Sequence, residues 1–266
     1  MNSNSIDKGF ALVTGSSKGI GKEISIQLAA QGWSLLLVAR SADLLQALKV
    51  EIETAHKVQV ETYAADLALP NVPDKIAAFC KDKGLRIQIL VNNAGFGVWD
   101  KFEKASWAEL AGMNALNVDA LLHMCHAFIP ILRQNQKAYI LNVSSLGAYQ
   151  PIPYMALYGA GKAYVRSFSY ALRDELRDSP ISVTCLSPGG VYTSFPDRAG
   201  SQVVAERNAR VTMAAERCAR IAIRAMFRGR AESIPGWYNN VAMWLTKFLP
   251  TKWTAAMARR IMMKAE

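Results

Sequence analysis

Tyr158 and Lys162 stand four residues apart in the run Tyr-Gly-Ala-Gly-Lys, thirteen residues after Ser145. On a helix, an i, i+4 spacing brings the phenol and the ammonium onto one face as neighbours. A positive charge beside a phenol favours phenolate and lowers the tyrosine below its ordinary value of about 10. The pair therefore predicts a general acid/base working near neutral pH. Alone, the same spacing also describes a buried tyrosine beside a solvated lysine, so the surrounding elements must decide.

The first apolar run, Phe10 to Thr14, leads into Gly15-Ser16-Ser17-Lys18-Gly19-Ile20-Gly21 and then into helix-period sequence. Glycines at 15, 19 and 21 suit a tight turn whose backbone N–H groups approach a pyrophosphate, with the positive end of a helix dipole behind them. The second strand ends in Val38-Ala39-Arg40. NAD calls for an acidic residue there, to hold the ribose 2′-hydroxyl. Arg40 and Lys18 offer two cations instead, which suits a 2′-phosphate and predicts NADP(H). Asp66-Leu67 and Asn92-Asn93-Ala94-Gly95 follow the next two strands, at the carboxyl ends where the ligand crevice of such sheets opens.

Short runs rich in Val, Ile and Leu alternate with helix-period segments. The expected strands are 10–14, 35–39, 58–64, 87–92, 138–143 and 181–186, and the expected helices 19–31, 42–55, 72–83, 104–133 and 155–178. Strict alternation predicts a doubly wound parallel sheet, a Rossmann-like α/β fold flanked by helices, in one domain over 1–266. Residues 1–8 are expected to be flexible and 193–212, with Pro196 and Gly200, to form a substrate lid. A helix near 213–228 follows, then a helical extension over 234–266. There Trp237, Val241, Trp244, Leu245 and Phe248 share one stripe, and Trp253, Met257 and Ile261 another. Core or oligomer contact is the expectation for both stripes, with a membrane-surface helix or an apolar wall over substrate the less favoured readings.

At 266 residues with 51% apolar and 20% charged residues, the balance is that of a globular protein. Four scattered cysteines, Cys80, Cys125, Cys185 and Cys218, read as reduced core thiols of a cytoplasmic protein. His56, His123 and His126 lack the companions of a metal site, so no metal is expected. The polar start predicts no signal peptide, and no uninterrupted apolar run approaches the length of a membrane span. The net charge of +10 comes largely from late residues, including Arg198, Arg207, Arg210, Arg217, Arg220, Arg224, Lys247, Lys252, Arg259, Arg260 and Lys264. They are spaced as solvated helix faces, with no nucleic-acid module beside them, and nucleic acid is not an expected partner.

Taken in order, Thr14-Gly-x-x-x-Gly-Ile-Gly21, Asp66, Asn92-Asn-Ala-Gly95, Asn117, Ser145, Tyr158-x-x-x-Lys162 and Pro188-Gly-x-x-x-Thr193 resemble the short-chain dehydrogenase/reductase family in its compact form. The resemblance covers about residues 9 to 230. It implies that Tyr158 exchanges a proton with a carbonyl or alcohol, and that Ser145 holds the developing oxyanion. It gives Lys162 both the tyrosine's pKa and the nicotinamide ribose. Asn117 would interrupt its helix and anchor a water linking Lys162 to solvent. Asn93 would fix the strand and cofactor, with Ala94 and Gly95 beside it, while Asp66 and Leu67 would lie against adenine. Pro188, Gly189, Val191 and Thr193 would contact the nicotinamide end, and Gly15, Ser17, Lys18, Gly19, Ile20, Gly21 and Arg40 the phosphates. It also implies a homodimer or homotetramer, often formed through 104–133 and 155–178.

The implied activity is NADP(H)-dependent interconversion of a carbonyl and an alcohol. Phe96, Trp99, Tyr149, Ile152, Tyr154, Tyr192 and Phe195 predict an apolar pocket suited to a lipid-like, steroid-like or acyl thioester ketone. Two rival readings accompany it: a catalytically silent nucleotide-binding regulator or scaffold, and a membrane-associated lipid reductase held by its tail.

Overall fold

A computed structural model describes residues 8–192, 212–246 and 248–263. Most of the expected lid lies outside the described residues, together with Thr193, Phe195, Arg198, Arg207, Arg210, Lys247 and Lys264.

The six expected strands form as β1 (Phe10–Thr14), β2 (Ser34–Ala39), β3 (Val60–Ala64), β4 (Ile87–Asn92), β5 (Ala138–Val143) and β6 (Ile181–Leu186). Every residue of β1, β4 and β5 is buried. Continuous apolar sequence of this kind is what a parallel sheet covered on both faces requires. The strands are parallel, in the order β3-β2-β1-β4-β5-β6, and the sheet carries a seventh strand that the sequence did not announce. This is β9 (Glu232–Ser233), two residues long and paired with Cys185 and Leu186 of β6. A second small sheet joins β7 (Val191–Tyr192) to β8 (Met213–Ala214).

Helices α1 (Gly19–Ala29), α2 (Ala42–Ala55) and α7 (Ala215–Phe227) flank the sheet. Ile24, Leu28, Leu45, Leu48, Ile52 and Ile223 pack there with the strand residues Val13, Leu37 and Val91 in one core cluster. A second cluster joins α3 (Val72–Asp82), α5 (Ala120–Leu132) and α6 (Ala156–Glu175) to strand side chains such as Leu12, Leu90 and Ile140. Because strand side chains alternate between faces, one sheet feeds both cores. The strand order reverses direction of travel between β1 and β4, which opens the ligand crevice at their carboxyl ends.

The expected long helix over 104–133 is divided. It runs as α4 (Trp107–Asn114), a π-helical turn (Ala115–Asp119), then α5. Ser106 caps its start: Ser106 Oγ accepts from the Glu109 N–H at 3.2 Å and donates to the Glu109 carboxylate at 2.8 Å. The whole stretch Trp107–Leu132 is long and apolar enough to cross a membrane by length and composition, although its apolar residues are interrupted by polar ones. Half of it is packed inside the fold, as a core helix would be.

The tail forms α8 (Trp237–Thr246) and α9 (Thr251–Met262). Here the core expectation fails. The buried residues are Asn239 and Met243 on α8, and Thr254 and Ala258 on α9, while both Trp-bearing stripes face out. The four cysteines are buried and unbridged, and burial pushes Cys80, Cys125 and Cys218 up to about 12 and Cys185 to about 11. Such thiols are inert packing groups.

Candidate active site

A cavity of about 950 Å³ opens at the carboxyl ends of the strands. One end is the turn between β1 and α1. Gly15 has φ +65°, and a Cβ there would lie 2.9 Å from both Ala94 Cα and Asn93 Nδ2. A Cβ on Gly21 would collide with the Gly15 carbonyl oxygen. Asn93 ties the turn to β4: its Nδ2 donates to the carbonyls of Thr14 at 2.9 Å and Gly15 at 3.2 Å. Its own N–H donates to Thr14 Oγ1 at 3.0 Å. No side chain caps α1 and its first turn holds no carboxylate, so its N-terminal N–H groups face the cavity at the positive end of the dipole. A narrow glycine cradle under an uncapped helix end fits a dinucleotide pyrophosphate.

Arg40, at the end of β2, and Lys18 line the same end with Ser17, Ile20, Asp66 and Leu67. Arg40 Nη1 lies 3.9 Å from Asp66 Oδ2, with just over half of its side chain exposed. The expected pair of cations therefore has one carboxylate beside it, which the linear sequence did not predict. Asp66 is also engaged locally, its Oδ1 accepting from the Ala68 N–H at 3.0 Å.

In the middle of the cavity the expected catalytic residues come together. Ser145 follows β5, and its Oγ accepts from the Gly147 N–H at 3.1 Å and shares a hydrogen bond with Tyr158. The adjacent Ser144 is turned away, donating to the Lys162 carbonyl at 2.7 Å. This separates the two serines as the thirteen-residue offset predicts. Lys162 is buried, and its Nζ donates to the Val143 carbonyl at 2.9 Å while standing 5.8 Å from the centre of the Tyr158 ring.

Asn117 sits in the π turn, buried, and clamps the loop after β4. Its Nδ2 donates to the Phe96 carbonyl at 2.8 Å, and its Oδ1 accepts from the Phe96 N–H at 3.0 Å. A Cβ on Gly95 would lie 2.9 Å from Asn117 Oδ1 and 3.6 Å from Lys162 Nζ, so both polar groups converge on this loop. A π turn places a residue out of the regular helical ladder, commonly at functional sites.

The electrostatics correct one expectation. Burial is the largest influence on Tyr158 and pushes its phenol above the ordinary value, opposed by the hydrogen bond to Ser145. Burial also holds Lys162 down, at about 8. The lysine's Nζ is engaged with the Val143 carbonyl, and the lowering of the tyrosine predicted from spacing does not appear.

The glycines flanking Ala160 pack closely. A Cβ on Gly159 would lie 3.3 Å from the Gly147 carbonyl oxygen, and one on Gly161 3.2 Å from Val118 Cγ2. They let α6 press against the Ser145 loop and the π turn.

Pro188, Gly189 and Val191 line the cavity beyond β6. Of the expected pocket aromatics, Phe96 is in the lining, together with Ile152. Trp99 is buried behind it, its Nε1 donating to the Met262 carbonyl at 2.9 Å. Tyr154 packs in the same small cluster with Met155 and Tyr158, in a left-handed conformation at φ +68°. Asp100 N–H donates to its carbonyl at 2.9 Å. Tyr149 turns to Arg166, whose guanidinium lies 4.4 Å from its ring centre, and Tyr192 is exposed. The far wall is formed by Met243, Ala258, Ile261 and Met262 of the tail; an apolar wall was the less favoured reading of its stripes, and of these four only Ile261 belongs to one of them. No motif marks them; a helical period signals faces, and only the fold says which face meets the cavity.

Among the described residues no cluster of three or more potential metal ligands exists, and His123 pairs with Asp74 at 2.9 Å.

A doubly wound parallel sheet with this glycine cradle and a Ser-Tyr-Lys group at its switch point defines a dinucleotide-dependent oxidoreductase architecture. The chain belongs to the short chain dehydrogenase family, which it matches over residues 9–204. A sulfoacetaldehyde reductase of Chromohalobacter salexigens is 34% identical over 188 residues, covering 69% of this chain and 72% of that protein. A very-long-chain 3-oxoacyl-CoA reductase of Aspergillus fumigatus is 34% identical over 176 residues, covering 65% of this chain and 51% of that one. The match thus spans about half of the fungal protein's length. A short-chain dehydrogenase from Sphingobium yanoikuyae, solved in complex with NADPH, superimposes with a TM-score of 0.80 at 28% identity, over 91% of this chain and 96% of that one.

Proposed function

We propose that the protein is an NADP(H)-dependent oxidoreductase interconverting an apolar ketone and its alcohol, with Tyr158 as general acid/base. The observation that carries this reading is the convergence of Ser145, Tyr158 and Lys162 midway between the glycine cradle and an apolar wall in one cavity.

In this reading the cradle of Gly15, Gly19 and Gly21, with the N-terminus of α1, holds the pyrophosphate, and Asn93 keeps that turn in place. Lys18 and Arg40 hold the 2′-phosphate, while Asp66 and Leu67 bound the adenine. Pro188, Gly189, Val191 and Thr193 border the nicotinamide end. The nicotinamide, when bound, supplies or accepts the hydride. Ser145 donates to the carbonyl oxygen and stabilises charge developing there. Tyr158 gives its phenolic proton to that oxygen in reduction and takes it back in oxidation. Lys162 holds the ribose, and Asn117 keeps the Phe96 loop and a water path to Lys162 in register.

Names of relatives support carbonyl reduction but differ on substrate, one being a small sulfonated aldehyde and the other a long acyl thioester. The lining favours the apolar class: Phe96, Ile152, Met155, Met243, Ile261 and Met262 face the cavity beyond Tyr158. A homo-oligomer formed through α4, α5 and α6 belongs to the same reading, in keeping with exposed Trp107 and Tyr164.

A carbonyl panel run with NADPH and NADH side by side tests the cofactor assignment. NADPH is expected to be preferred, and Arg40→Ala to raise its KM by about tenfold or more, the worth of one charge-assisted phosphate contact. NADH used equally well by the unaltered protein would sink the 2′-phosphate assignment.

The pH profile separates the two directions. Burial keeps Tyr158 protonated, the form that reduction needs, so kcat/KM for reduction should stay level through neutral pH. Oxidation needs phenolate and should rise with pH over the same range. A reduction rate that falls steadily between about pH 6 and 8 would contradict a tyrosine raised by burial.

A further inference from the structure

The tail presents an outward apolar surface that nothing among the described residues covers. On α8, Trp237, Val241, Trp244 and Leu245 lie on the side opposite the buried Asn239 and Met243, and Phe248 continues the stripe. Trp237 is 79% exposed, Phe248 68% and Trp244 59%. Trp244 and Phe248 stack edge to face at 4.8 Å, so the stripe is a formed surface. On α9 the exposed Trp253 and Met257 run beside the buried Thr254 and Ala258, with Lys252, Arg259 and Arg260 along the flank. Soluble surfaces rarely expose contiguous apolar area of this kind without a partner.

We propose that α8 and α9 form a docking surface for an anionic lipid bilayer, with the Trp and Phe side chains seated at the headgroup level and the basic flank on the phosphates. Two observations select a bilayer over a second copy of the chain. First, residues 234–263 contain Lys247, Lys252, Arg259 and Arg260 and not one Asp or Glu. A symmetric contact of this face with itself would confront those cations without a carboxylate to pair them. An anionic membrane complements them, by attraction that adds to apolar insertion. Second, the inner faces of the same helices wall the cavity, through Met243, Ala258 and Met262. The docked face therefore backs the apolar end of the cavity, so an apolar substrate dissolved in the membrane has a short route to Tyr158. That consequence rests on the function proposed above; docking does not.

The test is flotation of the full-length protein with vesicles of phosphatidylcholine containing 30% phosphatidylglycerol, against pure phosphatidylcholine, at about 0.05 M and 0.5 M salt. Binding is expected to favour the anionic vesicles and to weaken with salt. The triple variant Trp237→Ser, Trp244→Ser, Phe248→Ser and the variant Lys252→Glu, Arg259→Glu should each lower the partition coefficient by about tenfold or more. All five positions are exposed, and an unchanged melting curve would certify the fold. Equal binding by the native protein and the triple variant overturns the proposal, as does indifference to lipid charge. Light scattering that finds a native dimer split by the triple variant overturns it too, because a second copy would then be the occupant. NADPH titration of the same samples reports separately on the proposed activity.

Discussion

Tyr158→Phe is expected to lower kcat for carbonyl reduction by about 10²- to 10⁴-fold while leaving NADPH affinity within about twofold. The substitution removes one oxygen and preserves the ring that packs with Trp99, Met155 and Met262. The nearest described titrating group, Lys162, is engaged with the Val143 carbonyl and does not replace the phenol beside Ser145. Ser145→Ala should cost less, about 10²- to 10³-fold, as the loss of one oxyanion donor does. Single-turnover kinetics with NADPH in excess separate the chemical step from binding. A Tyr158→Phe protein with native turnover would remove the tyrosine from the reaction. A native protein that binds NADPH tightly and turns over no carbonyl across a broad panel would instead favour a nucleotide-binding regulator.

Glu232→Ala is expected to cost about 3 kcal/mol of stability, lowering the melting temperature by about 6–12 °C. Glu232 stands in the two-residue strand β9 and gathers four donors. Arg166 binds it in a fork, Nε to Oε1 at 3.0 Å and Nη2 to Oε2 at 3.2 Å. Tyr170 donates to Oε2 at 2.8 Å and Ser187 to Oε1 at 2.8 Å. Only 11% of the Glu232 side chain and 30% of Arg166 are exposed, so truncation leaves a half-buried guanidinium without its anion. The pair joins α6, which carries Tyr158 and Lys162, to β9, and the Ser187 hydroxyl ties the same carboxylate to the segment Ser187-Pro188-Gly189 that follows β6. Some loss of kcat should accompany the loss of stability. Glu232→Gln keeps an acceptor and should cost less. These hydrogen bonds hold the Glu232 carboxyl below its usual value of 4.5, although burial alone would raise it. A carboxyl lowered on folding stabilises the fold above its unfolded pKa and loses that contribution as pH falls through the folded one. The gap between the native protein and Glu232→Gln should therefore be full at neutral pH and shrink in acid below about pH 4. A melting temperature within about 2 °C of native for Glu232→Ala would show that the network is dispensable.

Elements whose physics is local were legible in the sequence. Buried parallel strands are contiguous apolar runs, and six were located to within two residues of their observed starts. The glycine turn proposed to hold phosphate is also local, because a tight turn and a close backbone approach are built from glycines within a few residues of one another. Ser145, Tyr158 and Lys162 could be assigned because they sit on one loop and one helix with fixed offsets. Strand β9 could not be found. Two residues carry no periodicity, and they become a strand only because β6 offers an edge to pair with. Asn117 came forward through the family resemblance, whereas its clamp on Phe96 depends on where β4 delivers the following loop.

Electrostatics and orientation depended on distance in space. Spacing put a cation four residues from Tyr158, but the depth of the site makes desolvation the larger effect and directs the Lys162 ammonium to a backbone carbonyl. The tail makes the same point about packing. Its apolar stripes are plain in the sequence, and the usual inference turns them inward. In the fold the inner faces meet the cavity and carry Asn239, Met243 and Ala258, so the larger Trp and Phe side chains point out. By itself the sequence determined the sheet and the glycine turn and brought Ser145, Tyr158 and Lys162 forward as the candidate reacting group, because backbone geometry and short offsets encode them. Only the tertiary structure decided what closes the cavity, what holds α6 to β6 and which side of the tail meets its surroundings, because those depend on contacts between segments far apart in the chain.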